Sequence, residues 1–382
     1  MSSFTINRTY LKVDRACAEL RRGGAVVVRL PSGEAAIFKA VEIAHDHDFL
    51  ELKTLAGSDT LLALTANRMS SLGHSIRQNK PCATLSSATH TAARAFEMAL
   101  GKPAADDAYD AYTVIPEKAG SLADNATRLL RVAKLIPAAL MARLRFRDIA
   151  MQDRWALENN LLIVEARDID QYNEDAAASL RETTRAKVPL ALAEDAEIIM
   201  FRAAAGGEEH FAVLIGDPLG NDTGKDTGED HVPLVRLHSQ CVTGDVLGSL
   251  KCDCGDQLKA TLAMMSREGN GVLVYLAQEG RDIGLLNKMR AYALQDGGLD
   301  TVDANHMLGF DTDERGFLPA AKILQALGIN KMRLITNNPD KIAQMQAQGF
   351  NISERVPLNI SENPFNADYL KTKKTRTGHM ID

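Results

Sequence analysis

The sequence predicts an α/β protein with mixed sheets, arranged as two domains. The chain has 382 residues, which is enough for two cores of ordinary size. Short apolar runs suited to buried strands alternate with longer runs suited to helices. We expect residues 1–186 and residues 187–382 to form separate domains, the second of which carries nearly all the recognisable chemistry.

In the first half, residues 11–30 predict a helix, a Gly-Gly stop and a buried strand. The runs EAAIFKAVEIA, FLELKTL and LLALTANRMSSLG continue the alternation. Residues 120–146 are rich in alanine and leucine, and they predict a helix that breaks or restarts at Pro137. Residues 167–186 predict a charged helix and a linker.

The second half begins near Lys187 with two predicted strands, EIIMFRAA and HFAVLIGD. Residues 216–231 are rich in glycine and acids and predict a surface loop. The strand VPLVRLH then leads into a cluster of cysteines. Further on, GVLVYLA and KMRLIT are predicted strands, and LLNKMRAYALQD and DKIAQMQAQG are predicted helices.

Charge and composition argue against several classes of protein. The net charge of −6 gives no basic surface for nucleic acid, and the basic C-terminal run YLKTKKTRTGHMID is interpreted as a solvated tail. No apolar run approaches the roughly 20 residues of a membrane span, and the N-terminus has no apolar signal segment. The five cysteines form no disulfide framework, so we expect a cytoplasmic protein.

Three of the five cysteines, Cys241, Cys252 and Cys254, lie close together in the sequence. Thiolates are strong zinc ligands, and a catalytic zinc site has three protein ligands and one position for water. Because no fourth cysteine lies nearby, an open zinc site is the sharper hypothesis. His238 as a fourth ligand of a structural zinc, or three plain buried thiols, are the alternatives.

Several patterns suited to phosphate follow the cluster. Arg281, in EGRDIG, stands at a predicted strand end, where open sheets bind ligands. Thr336 and Lys341 flank the start of a helix, which is either a phosphate cradle or an ordinary Asn-capped helix. Asp313 and Arg315 lie in DTDER, which is either functional or a solvated turn. Together with the cysteine loop, these patterns indicate metal-assisted hydrolysis of a nucleotide.

Residues 187–382 resemble GTP cyclohydrolase II, motif for motif and in order. The resemblance is carried by RLHSQCVTGDVLGSLKCDCGDQL, QEGRDIGLLNKMRAYALQDGGLDTVDANHMLGF, DERGF and LITNNPDK. It implies zinc held by three cysteines, water attack at C8 of guanine, and loss of formate and diphosphate, with magnesium on the phosphates. The implied product is a diaminopyrimidinone ribosylamino phosphate, the entry to riboflavin synthesis. The family also suggests a homodimer.

The resemblance assigns roles to positions of this sequence. The three clustered cysteines would bind zinc, and Asp313 would be the general acid/base. Arg315 would stabilise charge on the α-phosphate, and Tyr292 would stand over the opening ring. The positions that match GTP contacts are Arg236, Leu237, His238, Ser239, Gln240, Gln257, Glu279, Gly280, Arg281, Thr301, Thr336 and Lys341.

Three positions depart from the family pattern. The usual HSEC reads HSQC, so Gln240 replaces a glutamate and a charge is lost. The usual RQEGRG reads AQEGRD, with Ala277 and Asp282. None of these changes removes a predicted zinc ligand or one of the three catalytic candidates, so the resemblance still implies an active enzyme.

Residues 14–75 resemble dihydroxybutanone phosphate synthase more faintly. Where that family has an acid-rich run for magnesium, PSGEAAIF carries one acid, Glu34, and no threonine-rich substrate loop is recognisable around His90. We therefore expect residues 1–186 to be a degenerate, non-catalytic domain serving dimerisation or regulation. His45 and His47 are interpreted as a solvated turn rather than a metal site.

The sequence alone leaves alternatives to an active cyclohydrolase open. One is a related GTP-opening enzyme of another pathway, such as pyrimidine catabolism. Another is a regulatory protein that holds GTP and zinc without turnover. A zinc-ribbon protein that binds nucleic acid is disfavoured by the acidic charge and the missing fourth thiolate.

Overall fold

A computed structural model of the chain contains two compact units. It describes residues 8–74, 76, 79–86, 91–101, 112–204, 206–220, 232–376 and 378–380. His90 and most of the predicted loop at 216–231 lie outside these residues. The first unit comprises residues 1–173 and 286–314, and the second comprises residues 174–285 and 315–382. A domain boundary after residue 186 stays a prediction. Residues 286–314 belong to the same compact unit as the N-terminal half.

The first unit is built on a seven-stranded mixed sheet. Its strands are β1 (Val26–Arg29), β2 (Ala35–Ala40), β3 (Thr60–Thr65), β4 (Cys82–Ser86), β5 (Thr113–Glu117), β6 (Ala138–Arg143) and β7 (Leu162–Glu165). Its helices are α1 (Arg8–Arg21), α2 (Asp46–Ala56), α3 (Ala66–Ser71), α4 (Ala92–Leu100), α5 (Leu122–Val132), α6 (Ile149–Glu158), α7 (Ala166–Ala178), α9 (Leu285–Asp296) and α10 (Thr301–Met307). Helix α7 crosses the division between the units, and α9 begins one residue before residue 286.

The order of strands in the first sheet is β5-β4-β3-β6-β2-β1-β7. All neighbours are antiparallel except β1 and β7, which are parallel. Helix α1 buries Val13, Ala16, Cys17 and Leu20 in the core beneath this sheet. Val13 lies three and four residues before Ala16 and Cys17, and Leu20 lies four and three residues after them, so all four share one face of the helix.

The second unit has its own seven-stranded mixed sheet. Its strands are β8 (Arg181–Lys187), β9 (Glu197–Arg202), β10 (Glu209–Gly216), β11 (Leu234–Ser239), β12 (Asn270–Leu276), β13 (Lys331–Ile335) and β14 (Asn351–Val356). Its helices are α8 (Cys254–Glu268), α11 (Leu318–Ala326), α12 (Pro339–Ala347) and α13 (Ala367–Arg376). The strand order is β14-β13-β11-β12-β10-β9-β8, so the predicted mixed α/β class is confirmed for both units.

The parallel half of the second sheet gathers three of the predicted motifs at one edge. Strand β11 is parallel to both β12 and β13. The C-terminal end of β11 leads to Cys241, that of β12 leads to Glu279, and that of β13 leads to Thr336. Open α/β sheets bind ligands beyond the carboxyl ends of their strands, so this edge is the place to look for a site.

Two sequence-based predictions about the elements were wrong. Pro137 does not restart a helix, because α5 ends at Val132 and the buried strand β6 begins at Ala138. The alanine-rich run AALMAR pairs with β2 and β3, so tertiary burial outweighs its helical propensity. Residues 181–187 are not a linker either, since β8 forms an exposed edge strand on β9.

No helix within the described ranges is long and apolar enough to cross a lipid bilayer.

Candidate metal and nucleotide site

The three clustered cysteines meet in space. Cys241 follows β11, and Cys252 and Cys254 lie at the start of α8. Their sulfur atoms all lie within 4.8 Å of one another, and those of Cys241 and Cys252 are 3.7 Å apart. Two thiolates bound tetrahedrally to zinc at 2.3 Å have sulfur atoms about 3.8 Å apart. The spacing therefore fits one zinc ion.

Two glycines make room for this cluster. A Cβ at Gly244 would lie 2.9 Å from the sulfur of Cys252 and 3.1 Å from the sulfur of Cys241. A Cβ at Gly255 would lie 2.3 Å from the carbonyl oxygen of Gly244. The amide of Gly244 also donates to the sulfur of Cys241 at 3.3 Å. Only glycine permits so close an approach of the backbone at both positions.

The close packing of the sulfurs disfavours thiolates in the absence of a cation. Hydrogen bonds with Cys241 and Cys252, followed by burial, raise the pKa of Cys254 well above its ordinary value. The hydrogen bond with Cys241 likewise raises the pKa of Cys252. A divalent cation reverses this preference because metal binding requires deprotonated thiolates and stabilises them. The donor set therefore fits zinc chemically as well as geometrically.

His238 is engaged elsewhere, which argues against a closed zinc site. Its Nε2 lies 3.1 Å from the carboxylate of Asp245, which also accepts from the hydroxyl of Tyr275 at 2.8 Å and from the amide of Cys241 at 3.0 Å. Burial lowers the pKa of His238, although Asp245 opposes this effect. Among the described residues, the cluster of potential metal ligands at this place consists of the three cysteines alone.

A chain of polar contacts runs beside the cluster. Asp253 accepts from Lys373 Nζ at 2.7 Å and from Gln257 Nε2 at 2.5 Å, and Arg236 donates to Gln257 Oε1. Although burial opposes ionisation, Lys373 and Gln257 hold the pKa of Asp253 below its ordinary value. The chain thus joins two predicted GTP contacts, Arg236 and Gln257, to the loop between Cys252 and Cys254.

Lys373 is a site residue that the sequence analysis missed. It lies in α13, within the basic run that was interpreted as a solvated tail, yet its side chain is only 11% exposed. That interpretation was wrong for Lys373, whereas Lys371, Lys374 and Arg376 are exposed as expected. No local pattern separates Lys373 from the other basic residues, because its partner is 120 residues away in the sequence.

Arg236 is buried with an unsatisfied donor. Its side chain donates through Nη1 to the carbonyl of Ile335 at 2.9 Å, but its Nε has no hydrogen-bond partner among the described residues. Burial lowers the pKa of Arg236 to about 10. A buried N–H without an acceptor costs about 1–3 kcal/mol, and such groups occur where a ligand or water completes the bonding.

Two cationic side chains share one aromatic ring. The guanidinium of Arg315 lies 5.7 Å from the ring centre of Phe317, and Lys341 Nζ lies 5.1 Å from it. Arg315 also donates to Ser239 Oγ at 3.4 Å, and Lys341 donates to the carbonyl of Leu237 at 2.7 Å. The structure thus brings together four of the predicted site residues, and Phe317 is a further member that the sequence analysis did not identify.

Helix α12, which begins three residues after Thr336, is capped by its own preceding residues. Asn338 Oδ1 accepts from the amide of Asp340 at 2.8 Å, and Thr336 Oγ1 accepts from the amide of Asn338 at 3.0 Å. Pro339 occupies the first turn. These contacts are those of an ordinary Asn-capped helix, and the phosphate cradle at this position stays a prediction.

The EGRD turn is joined to the cysteine loop and is conformationally strained. Glu279 Oε2 accepts from the amide of Val242 at 2.7 Å. Gly280, Arg281 and Asp282 have successive φ values of +65°, +60° and +76°. Left-handed backbone is costly for residues with a Cβ, and such strain is often found at functional sites. Asp282 stands where the family pattern has glycine, so this sequence departs from the pattern at a position that favours glycine.

Three predicted site residues belong to the first unit. Tyr292 lies in α9, where Lys288 Nζ is 5.7 Å from its ring centre. Thr301 begins α10, which Asp300 caps through two amides. Asp313 is exposed and follows α10 by six residues.

Replacing Gly244 tests the steric argument for the metal loop. Gly244→Ala should weaken zinc binding by roughly 10- to 100-fold, because the added methyl displaces sulfur at a cost of about 1–3 kcal/mol. Competition with a colorimetric zinc chelator would measure the change. The control is Gly316→Ala outside the loop, because its Cβ meets no described atom within 4 Å, its φ is not left-handed, and its zinc affinity should stay unchanged. Equal affinities for both variants would contradict the argument.

Replacing Asp282 tests the conformational strain. Asp282→Gly should raise the free energy of unfolding by about 1 kcal/mol, because glycine adopts a left-handed backbone without steric cost. Asp282→Asn should change it little, since asparagine tolerates this conformation. Urea unfolding of the zinc-loaded protein gives both values. A less stable glycine variant would show that contacts of the Asp282 side chain outweigh the strain.

Comparison with known proteins identifies the family. A family model described as GTP cyclohydrolase II matches residues 181–357. A GTP cyclohydrolase-2 from Azospirillum brasilense is 42% identical over 370 residues, 97% of this chain and 94% of that protein. One from Proteus mirabilis is 50% identical over 53% of this chain and 96% of that protein. The riboflavin biosynthesis protein RibBA of Phocaeicola vulgatus is 39% identical over 66% of this chain and 61% of that protein.

A solved structure of a two-domain 3,4-dihydroxy-2-butanone 4-phosphate synthase from A. baumannii aligns with 91% of this chain and 99% of that one. Its TM-score is 0.35 and its sequence identity is 17%, so the resemblance of the N-terminal half to that synthase stays a prediction. The match to the Azospirillum brasilense relative extends along nearly the whole of both chains. This chain therefore belongs to the GTP cyclohydrolase II family of enzymes.

Proposed function

We propose that the chain hydrolyses GTP, opens the imidazole ring of guanine, and releases formate and diphosphate. The product would be 2,5-diamino-6-ribosylamino-4(3H)-pyrimidinone 5′-phosphate, and the pathway would be riboflavin biosynthesis. The observation that carries the proposal is the open cluster of three sulfurs within 4.8 Å of one another. Family membership supports GTP as the substrate, and the name of the Phocaeicola vulgatus relative supports the pathway.

Cys241, Cys252 and Cys254 would hold one Zn²⁺, which lowers the pKa of water towards ~7 and so makes hydroxide available at neutral pH. Asp245 binds the amide of Cys241 and the imidazole of His238. The carboxylate would thereby fix the first ligand and engage the imidazole, which would leave the remaining position to water. An open position is what separates a catalytic zinc site from a structural one.

Arg315 and Lys341 would bind the phosphates, with Mg²⁺ as the companion ion. Both cations lie within 6 Å of the centre of the Phe317 ring. When water attacks the α-phosphorus and the bond between the α- and β-phosphates breaks, negative charge grows on the α-phosphate oxygens and on the leaving diphosphate. A guanidinium that is already in place stabilises that charge without reorganisation. Arg315 also donates to Ser239, which fixes the direction of its side chain.

Asp313 would serve as the general acid/base and Tyr292 would stand over the ring. Release of formate needs two waters and cleavage of both C–N bonds at C8; each attacking water must lose a proton, and each ring nitrogen that leaves C8 must gain one. A single carboxylate can carry out both transfers. Arg236, Leu237, His238, Gln240, Gln257, Glu279, Gly280, Arg281, Thr301 and Thr336 would complete the GTP contacts.

We infer that the N-terminal half has no catalytic site of its own. Glu34, the one acid where the synthase family has several, pairs with Arg147 at 2.9 Å. Asp48 and Glu51 lie near His47, but both carboxylates accept from Lys39 Nζ, at 2.5 and 2.9 Å. A lysine thus occupies the place that a hard cation would need. A cytoplasmic homodimer stays the expectation for the whole protein.

Removing one sulfur tests the proposal. Cys252→Ser should lose zinc and formate release together, because two thiolates hold the ion too weakly for turnover. Zinc content and formate would be measured on the same preparation supplied with GTP and magnesium. Cys17→Ser is the matched control, since burial raises the pKa of that thiol to about 12 and it lies in the core of the first unit. An active Cys252→Ser variant without zinc would refute the metal assignment.

Restoring the family's glutamate tests the departure at residue 240. Gln240→Glu should lower the KM for GTP or raise kcat if the missing charge contacts the substrate or its cation. Steady-state kinetics of formate release would separate the two effects. Gln325→Glu on the exposed side of α11 adds the same charge elsewhere and should leave both constants unchanged. If neither constant changes in Gln240→Glu, the position is tolerant.

A further inference from the structure

Residues 286–314 carry Tyr292, Thr301 and Asp313, yet they form one compact unit with the N-terminal half. The contacts within this unit are specific and polar, and they become denser towards Asp313. The N-terminal half lacks the acidic residues of a synthase site, but these contacts indicate that it has another role.

The start of the segment is fixed at two points. Asn287 is fully buried, and its Nδ2 donates to the carbonyl of Lys134 at 2.9 Å. Arg290 Nη1 donates to Glu42 Oε2 at 3.0 Å, and the same oxygen accepts from the amide of Ile136 at 3.0 Å. The Glu42 side chain is only 5% exposed, so this ion pair is sheltered from solvent screening.

Arg68 fixes the end of α10. This side chain, 1% exposed, donates through Nη1 to the carbonyl of Met307 at 2.8 Å. Its Nε donates to the carbonyl of Met98 at 2.6 Å, and its Nη2 donates to Gly101 at 2.7 Å and to Glu97 at 3.2 Å. A guanidinium at the C-terminal ends of α4 and α10 is stabilised by the partial negative charge of both. Arg68 therefore joins the two helix ends.

The loop after α10 is bound through two backbone carbonyls and one side chain. Thr65 Oγ1 donates to the carbonyl of Gly309 at 2.8 Å. Asn67 Nδ2 donates to the carbonyl of Phe310 at 2.9 Å and to Asp311 Oδ1 at 2.8 Å. Gly309 has a φ of +84°, and a Cβ there would lie 2.9 Å from Thr65 Oγ1. Bonds to main-chain carbonyls fix the path of the loop itself.

Arg131 binds the acids on either side of Asp313. Its Nη1 lies 2.8 Å from Asp311 Oδ2, and its Nε lies 3.6 Å from Glu314 Oε1. Glu314 Oε1 in turn accepts from the amide of Asp311 at 2.8 Å. The side chains of Arg131 and Glu314 are 21% and 17% exposed, whereas that of Asp311 is 54% exposed, so the pair with Glu314 is the better shielded from solvent. The loop around Asp313 is thereby closed on itself and tied to α5.

We propose that four residues of the N-terminal half position Asp313 for the cyclohydrolase reaction. These positioning residues are Thr65, Asn67, Arg68 and Arg131. The inference rests on the proposed role of Asp313 as the general acid/base. Displacing a catalytic group by about 1 Å can cost roughly 100-fold in rate. The N-terminal half thus fixes the loop that carries this carboxylate.

Arg131→Met and Asn67→Ala in the full-length, zinc-loaded protein test the inference. The kcat for formate release should fall by roughly 10- to 100-fold, while zinc content and the KM for GTP stay unchanged. Arg131→Lys keeps a cation and should recover part of the rate. The matched control is Arg128→Met, because Arg128 lies on the same helix but pairs with Asp170 at 2.5 Å. Unchanged kcat in both test variants would overturn the inference.

A double-mutant cycle separates positioning from general destabilisation. Asp311→Asn should lower kcat, and its effect should not add to that of Arg131→Met, because both remove the same contact. Fully additive losses that follow the fall in unfolding temperature would instead indicate a structural role and overturn the inference.

If the wild-type chain releases no formate, that result refutes the proposed function alone. The positioning contacts can then still be tested by amide hydrogen exchange of residues 309–314. Exchange in this loop should be faster in Arg131→Met than in the wild type and unchanged in Arg128→Met. Equal exchange in all three proteins would overturn the positioning contacts regardless of activity.

Discussion

Three sulfur atoms held within 4.8 Å of one another are the constraint on which the second unit depends. At this distance thiolates repel each other, so the cluster is stable as thiolates only around a cation. Gly244 has no side chain that would crowd the sulfur atoms, and Asp245 accepts a hydrogen bond from the amide of Cys241. Lys373 neutralises Asp253, which lies between the other two cysteines. Each contact keeps the loop in a form that can bind metal, and none supplies a fourth ligand.

The parallel strands explain why the other groups collect near this loop. Strands β11, β12 and β13 end at the same edge of the sheet, and each is followed by a predicted motif. Contacts across that edge then add specificity, such as the bond of Glu279 to Val242 and that of Lys341 to Leu237. In the first unit, contacts between residues distant in sequence do this work. Arg68 and Arg131 bind carbonyls and carboxylates of a segment that lies about 180 to 240 residues away in the sequence.

Local patterns were predictable and distant contacts were not. The cysteine spacing, the apolar face of α1 and the Asn-capped start of α12 all depend on residues close in sequence. The strand after Pro137 was missed because burial between β2 and β3 overrides helical propensity. Lys373 looked like a tail residue because its partner lies 120 residues away. The grouping of residues 286–314 with the N-terminal half likewise depends on contacts that no local pattern encodes. The Proteus mirabilis relative spans only 53% of this chain, so resemblance to such relatives gives no guide to the first unit.

We propose that the zinc-loaded chain opens the guanine ring at C8. The most direct measurement is to supply GTP isotopically labelled at C8, with magnesium, and to follow the label by NMR while zinc is quantified in the same sample. The proposed reaction predicts that the label leaves as formate, that diphosphate appears with it, and that each chain holds one zinc. Retention of the label in the purine by a chain that binds zinc and GTP would contradict it.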